Sequence, residues 1–203
     1  MLTLYGTSRS RASRCLVALD ELGVSYAHRP ITPNEARDPH YLKKNPNGRF
    51  PCLEDGNLVL WESMAINLYL AETYGCDPFW PQSAADRAHA CQWSFWAIAH
   101  LDAEMMAVYR AQAQRSEEGR DAALGRLRAA LRVLDAQLQE NAHMLGHQLT
   151  IADINVATAL SEPHEGGRLA GWDDFSLTPF PAVERWLDRC VQRSSYNTVR
   201  ALP

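Results

Sequence analysis

The stretch that decides the fold reads NPNGRFPCLEDG at residues 45–56, and LWESMAI follows at residues 60–66. Asp55-Gly56 is a turn dipeptide of the kind that joins two antiparallel strands, so residues 51–54 and 58–60 are predicted to form a two-residue β-hairpin. The apolar spacing over residues 62–74 then predicts a helix. Because the helix follows the hairpin directly, Glu62 and Ser63 are expected where the strand ends and the unpaired amides of a helix begin.

The residues before this stretch predict a β-α-β unit. Residues 2–5 are typical of a short strand, residues 13–22 of a helix that ends at Gly23, and residues 25–29 of a second strand. Right-handed crossover makes those two strands parallel neighbours. A polar segment over residues 32–44 is interpreted as a loop with a short helix. The predicted order is β-α-β-α-β-β-α, with helices on both sides of a small mixed sheet.

The second part of the chain carries only helical patterns. The strand signal disappears around Pro78 and Pro81, so a domain boundary is placed there, with an α/β domain at residues 1–77 and an all-α domain at residues 84–203. Long helices are predicted over residues 84–114 and 118–141, and a last helix over residues 181–193 that opens with a proline. Thr150 and Asp153 have the spacing of a helix-capping box.

Composition excludes several classes of function. The 203 residues carry a formal net charge of -4, so no basic field attracts nucleic acid. No apolar run approaches the ~20 residues of a membrane-spanning helix, and no leader precedes the first strand, so a cytoplasmic protein is expected. Five scattered cysteines lack C-x-x-C spacing and are interpreted as free thiols rather than as metal ligands.

The two quoted motifs resemble the glutathione-binding signature of the cytosolic glutathione transferases, with Phe50 where that family usually has a small aliphatic residue. The segment LTIAD at residues 149–153 is similar to the capping motif of the family's helical domain. The resemblance spans the whole chain. It implies a thioredoxin-like, glutathione-binding first domain followed by an all-helical bundle, with glutathione as co-substrate, no metal, and a homodimer.

The resemblance also implies roles for individual residues. Pro51 is expected to be cis, so that the backbone of Phe50 pairs with the cysteinyl part of glutathione. Ser63 is expected to hold the γ-glutamyl carboxylate and Glu62 the ammonium group, although either residue taken alone is as well explained as a helix cap. The cations selected for the glycine end of glutathione are Arg37 and Arg49, each of which is by itself an ordinary surface charge.

A serine-type, bacterial-like member needs a hydroxyl that stabilises the glutathione thiolate. In serine-type members the active hydroxyl lies a few residues past the first strand and about one helical turn before a basic residue. Ser10 is the first choice, because it matches both offsets with Arg14 as that basic residue. Ser8 is the second choice and Tyr5, which ends the strand as in tyrosine-type members, the third. Cys15 lies on the apolar face of the first helix and is interpreted as an inert core thiol.

The electrophile is expected to be small and apolar. Family resemblance places its pocket along the first long helix of the second domain, at Trp96, Met105, Met106 and Tyr109, which are equally typical of core residues. Peroxidase or isomerase side activity is compatible with the same machinery. The alternative is a binding or regulatory protein that has the fold without the chemistry. A thiol oxidoreductase is disfavoured, because the loop of residues 6–14 contains no cysteine.

Overall fold

A four-stranded sheet forms the centre of the first domain in the computed structural model, which describes residues 1–160 and 175–202. Its strands are β1 (Thr3–Tyr5), β2 (Ala27–Arg29), β3 (Cys52–Asp55) and β4 (Leu58–Trp61), in the order β2-β1-β3-β4. β1 and β2 are parallel, as predicted, whereas the other neighbours are antiparallel.

Helices cover both faces of this sheet. Leu4 and Leu53 face the main core, where α1 (Ala12–Leu22) and α3 (Ser63–Tyr74) pack against them. The next residues along the strands point to the other face because side chains alternate. There a smaller cluster of Ala36, Tyr41 and Cys52 joins the sheet to the short helix α2 (Pro39–Leu42). The thioredoxin-like arrangement expected for the first domain is therefore confirmed.

The turn of the hairpin between β3 and β4 lies one position later than predicted. Asp55 pairs with Leu58, so the two turn residues are Gly56 and Asn57, one position later than Asp55-Gly56. Gly56 has a φ of +58°, which a residue without a Cβ adopts at little cost. The hairpin itself and the helix that follows it lie where the sequence placed them.

The second domain is helical throughout the part that the structure describes. Its helices are α4 (Ala84–Trp96), α5 (Ala103–Ala113), α6 (Glu117–Gln139), α7 (Ile151–Leu160), α8 (Pro181–Val191) and α9 (Ser194–Arg200). The prediction of a single helix over residues 84–114 is wrong in one respect, because a π-helical turn at Ala97–Asp102 separates α4 from α5. No described helix has the length and hydropathy of a membrane-spanning segment.

Two sets of polar contacts stabilise this domain. At the predicted capping box, the backbone N–H of Thr150 donates to Asp153 at 2.9 Å, and the N–H of Ala152 donates to the Thr150 hydroxyl at 3.2 Å. The last helix, α9, packs on α1 of the first domain. This helix was not predicted from the sequence. Arg193 donates to both carboxylate oxygens of Glu21 there, at 2.6 and 2.7 Å. The C-terminus is thereby attached to the first domain.

Candidate functional site

Three loops converge at one edge of the sheet. The register aligns Tyr5, at the end of β1, with Cys52, at the start of β3, and Cys52 in turn with Trp61, at the end of β4. The segments that continue from these positions therefore meet. They are residues 6–11, residues 48–51 and the junction of Glu62 with Ser63, and they contain most of the candidates drawn from the sequence.

Gly6 allows two of these loops to touch. Its φ is +132°, and a Cβ at this position would lie 2.7 Å from the Cβ of Ala12 and 3.1 Å from the Cβ of Phe50. Both distances are shorter than a normal carbon contact, and the φ is rarely adopted by other residues. Glycine at position 6 thus brings the start of α1 against the segment that precedes β3.

A cavity of about 370 Å³ opens between these loops and the helical domain. Residues 9–11 form one side of it, residues 48–50 the other, and Pro33 and Met106 complete the lining. We call it the Ser10 cavity. Four of the residues proposed from sequence line it: Ser10, Arg49, Phe50 and Met106. Its size is at the lower end of the range usual for small-molecule sites.

The Ser10 hydroxyl bonds to backbone groups at the start of the first helix. It donates to the carbonyl oxygen of Thr7 at 2.7 Å and accepts the backbone N–H of Ala12 at 3.1 Å. The N–H of Ser13 is also paired, to the Ser10 carbonyl at 2.9 Å. Rotation about the Cβ–Oγ bond would redirect the hydroxyl proton from the neutral Thr7 carbonyl to another acceptor, and hydrogen bonds to charged acceptors are the stronger kind.

The two other hydroxyl candidates point elsewhere. Ser8 is fully buried and donates to the carbonyl oxygen of Leu202 at 3.1 Å, so its hydroxyl holds the C-terminus. Tyr5 lies on the α2 face of the sheet and donates to Glu54 at 2.6 Å. Burial and the bond to Glu54 raise the pKa of the Tyr5 phenol. Neither residue lines the Ser10 cavity.

Three charged residues form a partly buried ion cluster at the start of α1, next to Ser10 in the chain. Arg11 and Arg14 each bind one oxygen of the Asp102 carboxylate, at 2.5 and 2.6 Å. Burial alone would raise the pKa of Asp102, but the charges of Arg14 and Arg11 outweigh it and hold that pKa below its usual value. Asp102 ends the π-helical turn, so the helical domain contacts the active-site loop through this carboxylate.

The junction of β4 and α3 presents unpaired polar groups. Glu62 has a φ of +74°, a strained conformation for a residue with a side chain, and such strain is concentrated at functional sites. Ser63 as a residue is 5% exposed, and its side-chain hydroxyl has no hydrogen-bond partner among the described residues. The amides of the first turn of α3 have no intrahelical acceptor. An unpaired hydroxyl beside unpaired helix N-terminal amides is an arrangement suited to binding an anion.

The segment before β3 exposes a strand-like backbone. The peptide bond between Phe50 and Pro51 is cis. The carbonyl of Arg49 accepts hydrogen bonds from Asn45 at 2.6 Å and Tyr41 at 2.8 Å, which fixes the chain just before the bend. The backbone N–H and C=O of Phe50 have no partner within residues 1–160 and 175–202. They are free to pair with an extended ligand.

The structure does not bring the remaining candidates to this cavity. Arg37 lines a separate cavity of about 670 Å³ on the α2 face, together with Tyr5 and Lys44. Trp96 borders a groove between α4 and α6, Met105 is fully buried, and Tyr109 is half-buried outside the lining. Cys15 is fully buried, which raises the pKa of its thiol, in agreement with its interpretation as a core residue.

Sequence reasoning missed Asp102, the residue that joins the two domains at this site. Arg14 was noted only as a basic residue at a suitable offset, and its acidic partner lies 88 positions later. The only available signal was an acidic residue inside a segment predicted to be helical and largely buried. Arg9 and Arg11 also line the cavity, and neither is among the site residues predicted from the sequence.

Family models match nearly all of both domains. Residues 1–72 match the model described as "Glutathione S-transferase, N-terminal domain", and residues 97–194 match "Glutathione S-transferase, C-terminal domain". The chain belongs to the glutathione S-transferase family. Glutathione S-transferase GstB of Escherichia coli K12 is 32% identical to it over 215 aligned positions, which cover 100% of this chain and 99% of GstB.

Other members of the family differ in function. The theta class glutathione S-transferase of Xanthomonas axonopodis pv. citri, solved with glutathione bound, superposes with a TM-score of 0.84 at 26% identity, covering 100% of this chain and 98% of that one. Elongation factor 1-gamma of Prunus avium is 28% identical over 203 positions, covering 96% of this chain but 46% of that protein. The relatives of this chain thus include a protein that is not named as a glutathione S-transferase.

Proposed function

We propose that this chain is a glutathione transferase that ionises the thiol of glutathione beside Ser10 and directs the sulfur onto a small electrophile. The observation that carries the proposal is the convergence, on one sheet edge, of a loop hydroxyl, an unpaired strand-like backbone and an unpaired helix N-terminus. Glutathione offers a matching series of groups: a thiol, a peptide backbone and a carboxylate. Solved relatives with glutathione bound support the same ligand.

Each part of glutathione has a candidate partner. The γ-glutamyl carboxylate is assigned to the Ser63 hydroxyl and the amides of α3, and its ammonium group to Glu62. The cysteinyl backbone is assigned to Phe50, as an added strand. The glycine carboxylate is assigned to Arg49, whose guanidinium lines the Ser10 cavity. Arg37 is left out of the proposed site because it lies on the α2 face.

The energy required for ionisation is modest. A cysteine thiol has a pKa of about 8.5, and lowering it by about two units needs roughly 2.7 kcal/mol. A hydrogen bond to a charged acceptor supplies roughly 1.5–3 kcal/mol, so the Ser10 hydroxyl can supply most of it. Arg11 adds a nearby positive charge from the same wall of the cavity. The thiolate is the nucleophile. Ser10 acts only as the hydrogen-bond donor to the thiolate sulfur.

The test is retention on glutathione-agarose together with conjugation of 1-chloro-2,4-dinitrobenzene. Ser10→Ala is expected to keep retention and to lose about 10- to 150-fold in kcat/KM, the range of one charge-assisted hydrogen bond. Ser83→Ala is the matched control, because Ser83 also caps a helix, through the N–H of Asp86 at 3.0 Å, but lies at α4. Native protein that neither binds glutathione nor conjugates the probe would refute the function; full activity in Ser10→Ala would refute the role of that residue.

A homodimer is part of this proposal. Large apolar side chains are exposed on β4 and α4, with exposed fractions of 40% for Trp61 and 63% for Phe95. Covering them with a second copy of the chain would remove this apolar surface from water. Light scattering measures the mass in solution. A monomer at micromolar concentration would contradict the proposal without affecting glutathione binding.

A second candidate is a binding protein without catalysis. The similarity to elongation factor 1-gamma favours this alternative, since that protein bears another function in its name. The two candidates differ in one outcome. Retention on glutathione-agarose with no conjugation of any electrophile would favour the binding protein.

A further inference from the structure

The charges that line the Ser10 cavity are all positive. Arg9, Arg11 and Arg49 contribute guanidinium groups, and no carboxylate is among the described lining residues. The carboxylate paired with Arg11 is that of Asp102, whose two oxygens are bound to Arg11 and Arg14. The wall formed by residues 9–14 therefore holds more positive charge than Asp102 neutralises.

Arg9 is the cation that this network leaves without a partner. Its side chain is exposed and has no ion pair or hydrogen bond within residues 1–160 and 175–202. Under the proposed function, glutathione gives its thiolate to Ser10 and its glycine carboxylate to Arg49. No group of glutathione then remains for Arg9, which lies immediately before Ser10 and on the same wall.

The cavity also has apolar lining, and one of the residues that supply it is followed along its helix by a further cation. Pro33, Phe50 and Met106 supply carbon surface. Arg110 stands four residues after Met106 in α5, on the same face of the helix, and its guanidinium is exposed with no described partner. An occupant of the cavity beside the sulfur would thus meet carbon in the middle and positive charge at its rim.

We propose that the electrophile of this enzyme has a flat apolar body that bears a carboxylate or a similar anionic group, and that Arg9 binds this group. The inference rests on the proposed function and replaces the expectation of a purely apolar electrophile. For an aryl chloride the step is balanced without a further reactant. The thiolate forms the C–S bond at the ring carbon, the C–Cl bond breaks, and its electron pair leaves with chloride.

Two probes of matched shape test the charge alone: 4-chloro-3,5-dinitrobenzoate and 4-chloro-3,5-dinitrobenzamide, each with 1-chloro-2,4-dinitrobenzene as reference. The quantity measured is the ratio of kcat/KM for the carboxylate to kcat/KM for the amide. Ring electronics affect this ratio equally in every variant. Arg9→Gln is expected to lower it about fivefold, the size of an exposed ion pair, chiefly through KM. Arg9→Lys is expected to retain most of it.

Arg132→Gln is the control, because it removes one exposed arginine from α6 and leaves the described lining of the Ser10 cavity intact. It is expected to leave the ratio unchanged, which separates local recognition from a change in net charge. Native circular dichroism and retention of Arg9→Gln on glutathione-agarose show that the fold is intact. An unchanged ratio in Arg9→Gln, or turnover of the amide alone by the native chain, would overturn the inference while the transferase function stands. No turnover of any of the three probes would refute the function itself.

Discussion

Replacing Asp102 with asparagine keeps the shape of the side chain and removes the charge that two arginines share. Arg14 is fully buried, and its Nε and one terminal nitrogen already lack partners. Its described ion pair is the one with Asp102, at 2.6 Å. Breaking such a pair while one charge remains buried costs about 3–5 kcal/mol. A protein of this size should therefore melt roughly 6–20 °C lower.

Urea unfolding of the native chain and of Asp102→Asn, followed by fluorescence and circular dichroism, measures this difference. Glu104→Gln is the control, because Glu104 and Arg126 form an ion pair at the surface, with 20% and 56% of their side chains exposed. An exposed pair is worth about 0–1 kcal/mol. A double variant, Arg14→Met with Asp102→Asn, should recover part of the loss. A cost below about 1 kcal/mol in Asp102→Asn would refute the assignment of a coupled buried cluster.

Acid provides an independent check on the same residue. The pKa of Asp102 is lowered in the folded protein, so its contribution to stability is present above the unfolded pKa of about 3.9. That contribution is lost as the pH falls through the folded value. The native chain should lose stability below about pH 4 more steeply than Asp102→Asn does. Parallel curves for the two proteins would mean that the carboxylate does not carry this dependence.

Three further substitutions have defined outcomes. Ser63→Ala removes a hydroxyl without a described partner, so calorimetry should show a weaker affinity for glutathione with an almost unchanged unfolding free energy; equal affinity would exclude Ser63 as a ligand. Glu62→Gly relieves the strain of the φ of +74°, so the unfolding free energy should rise by about 1 kcal/mol. The glutathione affinity of this variant should fall. Glu62→Ala keeps a side chain at this φ and should not gain stability. Asp153→Asn removes the charge from a buried acceptor that holds Thr150, Met144 and Trp186, and should cost about 3 kcal/mol or more in urea unfolding; a loss as small as that of an exposed carboxylate would contradict this.

Features that depend on neighbouring residues were predictable from the sequence. The hairpin, the parallel β-α-β unit and the capping box all follow from turn chemistry, apolar spacing or short polar motifs. Each is decided by contacts within about thirty residues. The sequence placed the turn at Asp55-Gly56 rather than at Gly56 and Asn57 because the dipeptide pattern marks where a turn occurs without fixing its register.

Features that depend on distant residues were not predictable from the sequence. Ser8 and Ser10 lie in one loop and differ little in sequence context, yet Leu202, 194 positions away, takes the hydroxyl of Ser8. Trp96 lies near Met106 along the chain, but the π-helical turn Ala97–Asp102 changes the register between α4 and α5, which no residue pattern in that segment indicates. Asp102, the ion-pair partner of Arg14, was not predictable either, because it lies 88 positions away in the chain. Long-range contacts of this kind are set by tertiary packing.

The ionisation of bound glutathione is the most direct measurement of the proposed chemistry. Thiolate absorbance in the ultraviolet, recorded against pH with the native chain and with Ser10→Ala at saturating glutathione, gives the pKa of the thiol in each complex. The native complex is expected to show a pKa about two units below the free value, and Ser10→Ala a pKa close to that of free glutathione. Equal thiol pKa values in the two complexes would contradict the role of Ser10, and a free-solution pKa in the native complex would contradict thiolate activation altogether.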